Sequence, residues 1–269
     1  MDLMLPSSRV RAISKRRFAR RFSLRRAGAA CAALLTLAGW IAPAPCAAEE
    51  TDARGADAVL IGSSSFNQPF GQLIERELTL RGYQVTRKGV DGAGLARPDF
   101  RDMNQVLETL PVGPETTAVF VYLGVNDAQD MWLYPRERVR AETSSIPFGA
   151  AEWDAAYARR TREFLDRICQ RGARRAVVLL PVDVNRPELQ RRLDRIRSLQ
   201  AHAAAETRCA VAVRTAGDEG RFEVDGVAMR LPDGFHMSAR GAQLVWGRIE
   251  TQVLQLLEPS VPRRVTAAR

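Results

Sequence analysis

Short segments with strand character alternate with longer segments of helical periodicity from residue 58 to residue 257. The strand-like segments are residues 58–61, 83–86, 118–123, 176–180 and 209–213, and the helical segments are residues 70–81, 99–110, 153–170, 187–207 and 238–257. Strands that alternate with helices form a mostly parallel sheet covered by helices on both faces. The pattern therefore predicts one α/β domain over residues 58–258, and no internal repeat is visible.

The segments that connect these elements are the first places to look for chemistry, because ligands of parallel sheets bind at the carboxyl ends of the strands. Residues 132–151 contain Pro135, Pro147 and Gly149 and have no clean period, which predicts a long surface loop. The helix that follows the second strand is predicted to begin with Asp99 as its N-cap.

The start of the chain has the features of an export signal. Residues 9–26 carry nine basic side chains and no acid, residues 27–41 are apolar, and small residues lead up to Ala48. We predict a signal peptide over residues 1–48, cleaved after Ala48, with an uncleaved anchor as the alternative. We also expect a polar lead-in over 49–57 before the α/β domain and a disordered tail over 259–269 after it. A periplasmic or secreted location follows.

Net charge excludes one class of partner. The whole chain carries +9, but residues 1–48 hold nine Lys and Arg residues against one acid, which leaves 31 basic and 30 acidic residues in the remainder. The basic character therefore belongs to the export signal, and nothing in the folded part indicates a nucleic-acid surface. Contact with a membrane is expected only through export or an uncleaved anchor.

Two cysteines follow the predicted cleavage site. Cys169 extends the apolar stripe of its helix, and Cys209 alternates inward with Val211 and Val213 on its strand. The pattern favours two buried thiols. A disulfide is the alternative, because disulfides persist in the compartments that exported proteins reach.

A candidate nucleophile follows the first strand in Gly62-Ser63-Ser64. A serine hydroxyl attacks an ester only when a base takes its proton, and Ser64 on this turn also offers its backbone N–H to a developing oxyanion. The alternative is that a serine-rich turn is only a turn.

A candidate oxyanion donor follows the third strand in Gly124-Val125-Asn126-Asp127. The side-chain amide of Asn126 can donate to an oxyanion, and one such donor contributes about 2.7–4 kcal/mol to the transition state. The alternative is an Asx turn that ends the strand.

His236 is the candidate base, because the chain has two histidines and His202 lies off the apolar stripe of its helix. Asp233 stands three residues before His236, so one turn lets its carboxylate reach the imidazole Nδ1–H and leaves Nε2 for Ser64. The alternative is a structural histidine behind an Asp-capped turn.

Other chemistries fit the sequence less well. A zinc site needs clustered ligands, and no histidine pair at ligand spacing exists. The glycines at 89, 92 and 94 do not match a dinucleotide loop, because Arg97 occupies its last position. A nucleophile elbow would need glycine where Phe66 stands. The residues therefore favour acyl transfer through a serine over metal or dinucleotide chemistry.

The three segments, read in chain order, resemble the blocks of the SGNH (GDSL-like) hydrolase family. The resemblance implies a flavodoxin-like three-layer α/β/α sandwich with a five-stranded parallel sheet and no cofactor. It implies that Ser64 is the nucleophile, Asn126 an oxyanion donor, and Asp233 and His236 the acid and base. Its glycine block matches Gly94, with Gly92 as the alternative.

Two further details refine the resemblance. The strings around Gly94-Leu95-Ala96-Arg97 and Trp153-Asp154 resemble an envelope-associated bacterial branch of the family, of uncharacterised function. The family's usual aspartate before the nucleophile is replaced by Ser63, a change that bears on the rate and the fine geometry more than on the mechanism.

These features lead us to expect an exported serine esterase that hydrolyses O-acyl esters, foremost O-acetyl esters, of an envelope glycan or an acylated small molecule. An O-acyltransferase with the same residues is one alternative. A catalytically silent glycan-binding protein is the other, and Ser63 motivates it. The aromatic residues Trp132, Tyr134 and Trp153 either stack on sugars or belong to the core or a lid.

Overall fold

The structure is a computed structural model and describes residues 57–138, 143–215 and 222–258. The predicted signal peptide, the tail and all of the lead-in except Asp57 lie outside these residues. The strands are β1 (Asp57–Ser63), β2 (Gln84–Val90), β3 (Thr116–Tyr122), β4 (Met131–Trp132), β5 (Ser145–Ile146), β6 (Ala176–Leu179), β7 (Ala210–Val213), β8 (Glu223–Val224) and β9 (Val227–Ala228). The helices are α1 (Pro69–Thr79), α2 (Met103–Glu108), α3 (Pro135–Arg138), α4 (Ala151–Gln170), α5 (Pro187–Glu206) and α6 (Ala239–Leu257).

Five strands form one parallel sheet in the order β2-β1-β3-β6-β7. The first strand, β1, lies inside the sheet, and β2 lies on one side of it. The later strands β3, β6 and β7 then follow on the other side of β1, so the strand order reverses there. This is the flavodoxin-like arrangement, in which the strand ends at the reversal form a crevice for ligands. The predicted α/β fold with a five-stranded parallel sheet is confirmed.

The two faces of the sheet bury two apolar clusters, as the two-residue period of a strand requires. Val59 and Ile61 of β1 face a cluster with α2, α4 and α5, whereas Ala58 and Leu60 face a cluster with α1 and α6. All residues of β3 are buried. The helices on both faces make the three layers. Within the described residues, no helix is long and apolar enough to cross a bilayer.

Two predicted details are wrong, and one element was missed. Asp102, and not Asp99, caps α2 by accepting a hydrogen bond from the Asn104 N–H at 2.9 Å. The predicted loop over 132–151 contains α3 and the β5 strand, which pairs with β4. The hairpin of β8 and β9 was not predicted.

The preference for two buried thiols is also wrong, because Cys169 and Cys209 form a disulfide. The bond joins the last turn of α4 to the residue before β7, the edge strand of the sheet. Inward-facing cysteines have the same sequence pattern whether or not they are bonded, so only their proximity in the fold decides between the two states.

Loss of this disulfide should destabilise the fold. The two cysteines are 40 residues apart, and the loop-closure entropy regained by the unfolded chain predicts a loss of about 3–4 kcal/mol for Cys209→Ser. Urea denaturation with and without reductant measures the loss, and the double Ser variant serves as a control that reductant should not affect. An identical transition for the oxidised and reduced wild type would contradict the prediction.

Candidate active site

Ser64 lies at the carboxyl end of β1, as the first residue of a 3₁₀ turn over Ser64–Phe66. Gly62, two residues earlier, packs so closely on β3 that a Cβ atom would lie 2.3 Å from the Tyr122 carbonyl oxygen. The glycine therefore allows the central strands to approach each other directly below the candidate nucleophile. Ser63 is buried, and its side chain does not cap the turn.

The structure brings Ser64, His236 and Asp233 together in one chain of hydrogen bonds. The Ser64 Oγ lies 2.7 Å from His236 Nε2, and His236 Nδ1 lies 2.8 Å from Asp233 Oδ2. These contacts join two segments separated by 172 residues in sequence. The imidazole is thus held by a carboxylate on one nitrogen and offers the other to a hydroxyl, the arrangement that activates a serine.

A tight turn before α6 holds Asp233 and His236. Gly234 has a φ of +77°, a conformation that glycine adopts without strain, and its N–H donates to the Leu231 carbonyl at 2.9 Å. The second carboxylate oxygen, Asp233 Oδ1, accepts from the backbone N–H groups of Phe235 and His236 at 2.8 and 3.0 Å. Both oxygens of Asp233 are therefore engaged within the turn.

The electrostatics of the turn favour an ionised Asp233. Partial burial alone would raise the pKa of this carboxyl, but the hydrogen bonds from the His236 side chain and from the two backbone N–H groups lower the pKa below its ordinary value. Asp233 therefore carries a negative charge at neutral pH, where it can stabilise an imidazolium at His236.

Asn126 lies on a 3₁₀ turn (Val125–Asp127) that follows β3. One hydrogen of its Nδ2 bonds to the Ala93 carbonyl oxygen at 2.9 Å, which leaves the second amide hydrogen for another acceptor. This contact lies on the segment with Gly94, the preferred glycine. The alternative, Gly92, has a φ of +72° and faces the Phe100 ring. Gly94 is thus the one held directly beside Asn126, and its role as a donor stays a prediction.

The aromatic residues in and beside the segment 132–151 have different environments. Trp153 is fully buried, stacks on Tyr157 and donates from its indole N–H to the Gln129 carbonyl, so it belongs to the core. Trp132 is half-buried, with Arg97 and Arg138 over its ring at 5.4 and 5.3 Å. Tyr134 packs against arginines, and its hydroxyl bonds to Asp102 and Asn104.

Asp127 is a residue of the site that the sequence analysis missed. It is fully buried, and its carboxylate accepts from the Ala96 N–H at 2.8 Å and from the Tyr157 hydroxyl at 2.9 Å. Burial raises its pKa from an ordinary 3.8 to about 6, although these hydrogen bonds and Arg160 oppose the shift. The only signal in the sequence was its position directly after a buried strand, beside Asn126.

The raised pKa of Asp127 predicts a specific dependence of stability on pH. The unfolded chain releases this proton near pH 3.8, but the folded protein keeps it until about pH 6. Raising the pH through that window therefore favours the unfolded state, by about 3 kcal/mol. Relative to Asp127→Asn, the wild type should lose most of this stability between pH 4 and pH 7 in urea denaturation. Parallel pH dependences of the two proteins would contradict it.

The geometry can support acyl transfer through a serine. A hydroxyl, an imidazole and a carboxylate are aligned, and an amide with an unused hydrogen lies on the neighbouring strand end. The described residues contain no group of three or more His, Cys, Asp or Glu side chains that could hold a metal ion. The Arg97 guanidinium donates two hydrogen bonds of 2.9 Å to the Asp99 carboxylate. The two residues therefore form a structural ion pair.

Comparison with known proteins identifies a family without a known function. Residues 58–252 match the family described as "Protein of unknown function (DUF459)". This match covers more than half of the chain. No curated protein matches the sequence.

Solved structures with the same fold are distant in sequence. The structure of a protein described as a GDSL-like lipase, from Parabacteroides merdae, aligns with a TM-score of 0.52 and 14% identity, over 75% of this chain and 97% of that chain. A carbohydrate esterase family 3 protein from Talaromyces cellulolyticus aligns with a TM-score of 0.50 and 13% identity, over 75% and 98%. The structure of a protein described as a GDSL-like lipase, from Bacteroides ovatus, aligns with a TM-score of 0.50 and 13% identity, over 75% of this chain and 53% of that chain. The fold is therefore that of the SGNH hydrolases, as the sequence resemblance implied.

Proposed function

The chain belongs to the DUF459 family. From the hydrogen bonds at the carboxyl end of its central strand β1, we propose that it is a serine esterase. The observation that carries the proposal is the alignment of Ser64 Oγ, His236 Nε2 and Nδ1, and Asp233 Oδ2 at 2.7 and 2.8 Å. A serine hydroxyl held this way is poised to lose its proton as it attacks a carbonyl carbon.

The proposed reaction has two stages. Ser64 Oγ attacks the ester carbonyl while His236 Nε2 takes the hydroxyl proton, and the tetrahedral oxyanion accepts hydrogen bonds from the Asn126 amide and the backbone N–H groups of Ser64 and Gly94. His236 then gives the proton to the leaving alcohol, and the acyl group stays on Ser64. Water then attacks the acyl carbon as His236 takes its proton, the bond from the acyl carbon to Ser64 Oγ breaks with release of the acid, and His236 returns the proton to Ser64 Oγ.

We propose O-acyl esters as substrates, with O-acetyl groups on an envelope glycan first among them. The carbohydrate esterase that shares the fold makes carbohydrate esters a reasonable first panel. Export fits the Cys169–Cys209 disulfide, because such bonds persist in oxidising compartments. Cleavage after Ala48 then releases a periplasmic or secreted enzyme.

The proposal is tested on the protein without residues 1–48. Release of free acetate from p-nitrophenyl acetate and from acetylated oligosaccharides, together with labelling of Ser64 by a fluorophosphonate, is the expected result. Acetate that appears on an added oligosaccharide instead of in solution would replace hydrolysis with acyl transfer. Binding of the glycan without turnover or labelling would make the protein a silent glycan-binding member of the family.

A further inference from the structure

A buried carboxylate that the proposed mechanism does not use lies directly behind the candidate oxyanion donors. Asp127 is adjacent in sequence to Asn126, and the two side chains bind the two ends of one short segment over 93–96. Asn126 Nδ2 bonds to the carbonyl of Ala93 at 2.9 Å, and Asp127 Oδ1 accepts from the N–H of Ala96 at 2.8 Å. Gly94 lies between these two anchor points.

Gly94 itself packs on the same carboxylate. A Cβ atom at this position would lie 2.2 Å from Asp127 Oδ1, so only glycine lets the segment approach so closely. The segment is also fixed between its two ends, because the buried Arg160 donates to the Leu95 carbonyl at 3.1 Å. Two backbone hydrogen bonds, from the Ala93 N–H to the Val90 carbonyl and from the Trp132 N–H to the Ala96 carbonyl, also hold the segment, and buried side chains supply its other contacts.

Asp127 in turn is held by the helices that cover this face of the sheet. The Tyr157 hydroxyl of α4 donates to Asp127 Oδ2, and Gln200 of α5 donates to both the Tyr157 hydroxyl at 3.0 Å and the Leu123 carbonyl at 3.1 Å. All four groups are buried. The network thus links α4, α5 and the end of β3 to the segment that carries Gly94.

We propose that Asp127 is a positioning residue that holds the 93–96 segment against the Asn126 turn and thereby orients the oxyanion donors. The inference rests on the proposed esterase function. Each hydrogen bond to the carboxylate places a donor on it, which suits an ionised side chain, and a charged acceptor anchors a backbone N–H about twice as strongly as a neutral one. Tyr157 and Arg160 are the titratable side chains that face it.

The test is Asp127→Asn, which keeps the shape of the side chain. An amide has to turn its NH₂ group toward either the Ala96 N–H or the Tyr157 O–H, so one donor of the network loses its acceptor. We expect kcat for p-nitrophenyl acetate to fall about 10- to 100-fold with KM nearly unchanged, because small displacements of transition-state contacts have effects of that size. The melting temperature should not fall, because removal of a buried charge compensates the lost bond.

Two controls separate positioning from a general structural role. Asp130→Asn changes the same residue type three positions on, where the exposed carboxylate accepts from the Phe148 N–H, and should leave kcat unchanged. Titration of active sites with a fluorophosphonate should give the same reactive fraction in Asp127→Asn as in wild type. Tyr157→Phe, which removes one donor to Asp127, should reduce kcat less than Asp127→Asn does and serves if the first variant fails to fold.

The outcomes are distinct. Full kcat in Asp127→Asn beside an active wild type would overturn the inference and leave the proposed esterase intact. A reduced reactive fraction with an unchanged rate per site would also overturn it, because the residue would then only stabilise the fold. A wild type that hydrolyses no ester would overturn the proposed function, and the inference with it.

Discussion

Ser64→Ala should abolish ester hydrolysis while leaving the fold intact. The substitution removes the Oγ atom that lies 2.7 Å from His236 Nε2, so no acyl-enzyme can form. Loss of a nucleophile in comparable triads lowers kcat by roughly 10⁴- to 10⁶-fold. The residual rate comes from the oxyanion donors and binding alone.

The measurement is kcat/KM for p-nitrophenyl acetate with circular dichroism and thermal denaturation in parallel. Ser65→Ala is a matched control, because it changes the neighbouring serine of the same turn without touching the bond to His236. Turnover retained in Ser64→Ala would exclude Ser64 as the nucleophile. Equal losses in both variants would indicate damage to the turn.

Asp233→Asn should be at least as damaging as Asp233→Ala, with a loss of about 10³- to 10⁴-fold in kcat. The reason lies in the two backbone donors, Phe235 N–H and His236 N–H, which hold Oδ1 and so fix which way an asparagine side chain points. Its NH₂ group then faces His236 Nδ1 and forces the proton onto Nε2. That tautomer cannot accept the proton of Ser64.

Comparison of the two variants tests this reasoning. In Asp233→Ala, water can replace the carboxylate at Nδ1, because the Asp233 side chain is 40% exposed. The alanine variant should therefore keep more activity than the asparagine variant, in the same assay and at equal thermal stability. Equal losses in the two variants would mean that Asp233 acts through its charge alone, and a more active asparagine variant would mean that its carbonyl oxygen still faces His236 Nδ1, so either result would contradict the tautomer argument.

The main strands and helices were predictable because their buried apolar residues form a continuous run or recur at the period of a helix. The all-apolar run of β3 and the stripes of α4 and α6 give the correct elements within a few residues. The strands β4, β5, β8 and β9 are two residues long, and a segment that short has no period to detect. Asp99 and Asp102 are equally good caps in sequence, and the ion pair of Asp99 with Arg97 decides between them.

The candidate site was predictable where chemistry depends on residues close in sequence or on a strand end. Asp233 and His236 are three residues apart, and Ser64 and Asn126 both follow buried strands. The contacts of Asp127 were not predictable, because its partner Tyr157 lies 30 positions away and nothing in the helical pattern of α4 separates a core tyrosine from a hydrogen-bonding one. The sequence left the choice between a disulfide and two thiols open for the same reason, because Cys169 and Cys209 are 40 positions apart.

The position of the base has a consequence for when activity begins. His236 stands just before α6, which packs against α1 at the opposite end of the described chain, and its contact with Ser64 spans 172 residues. By the proposed mechanism, a polypeptide whose residues 233–257 have not yet docked has no base beside Ser64 and should not cleave the ester. Onset of ester cleavage during refolding would mark the docking of that final helix.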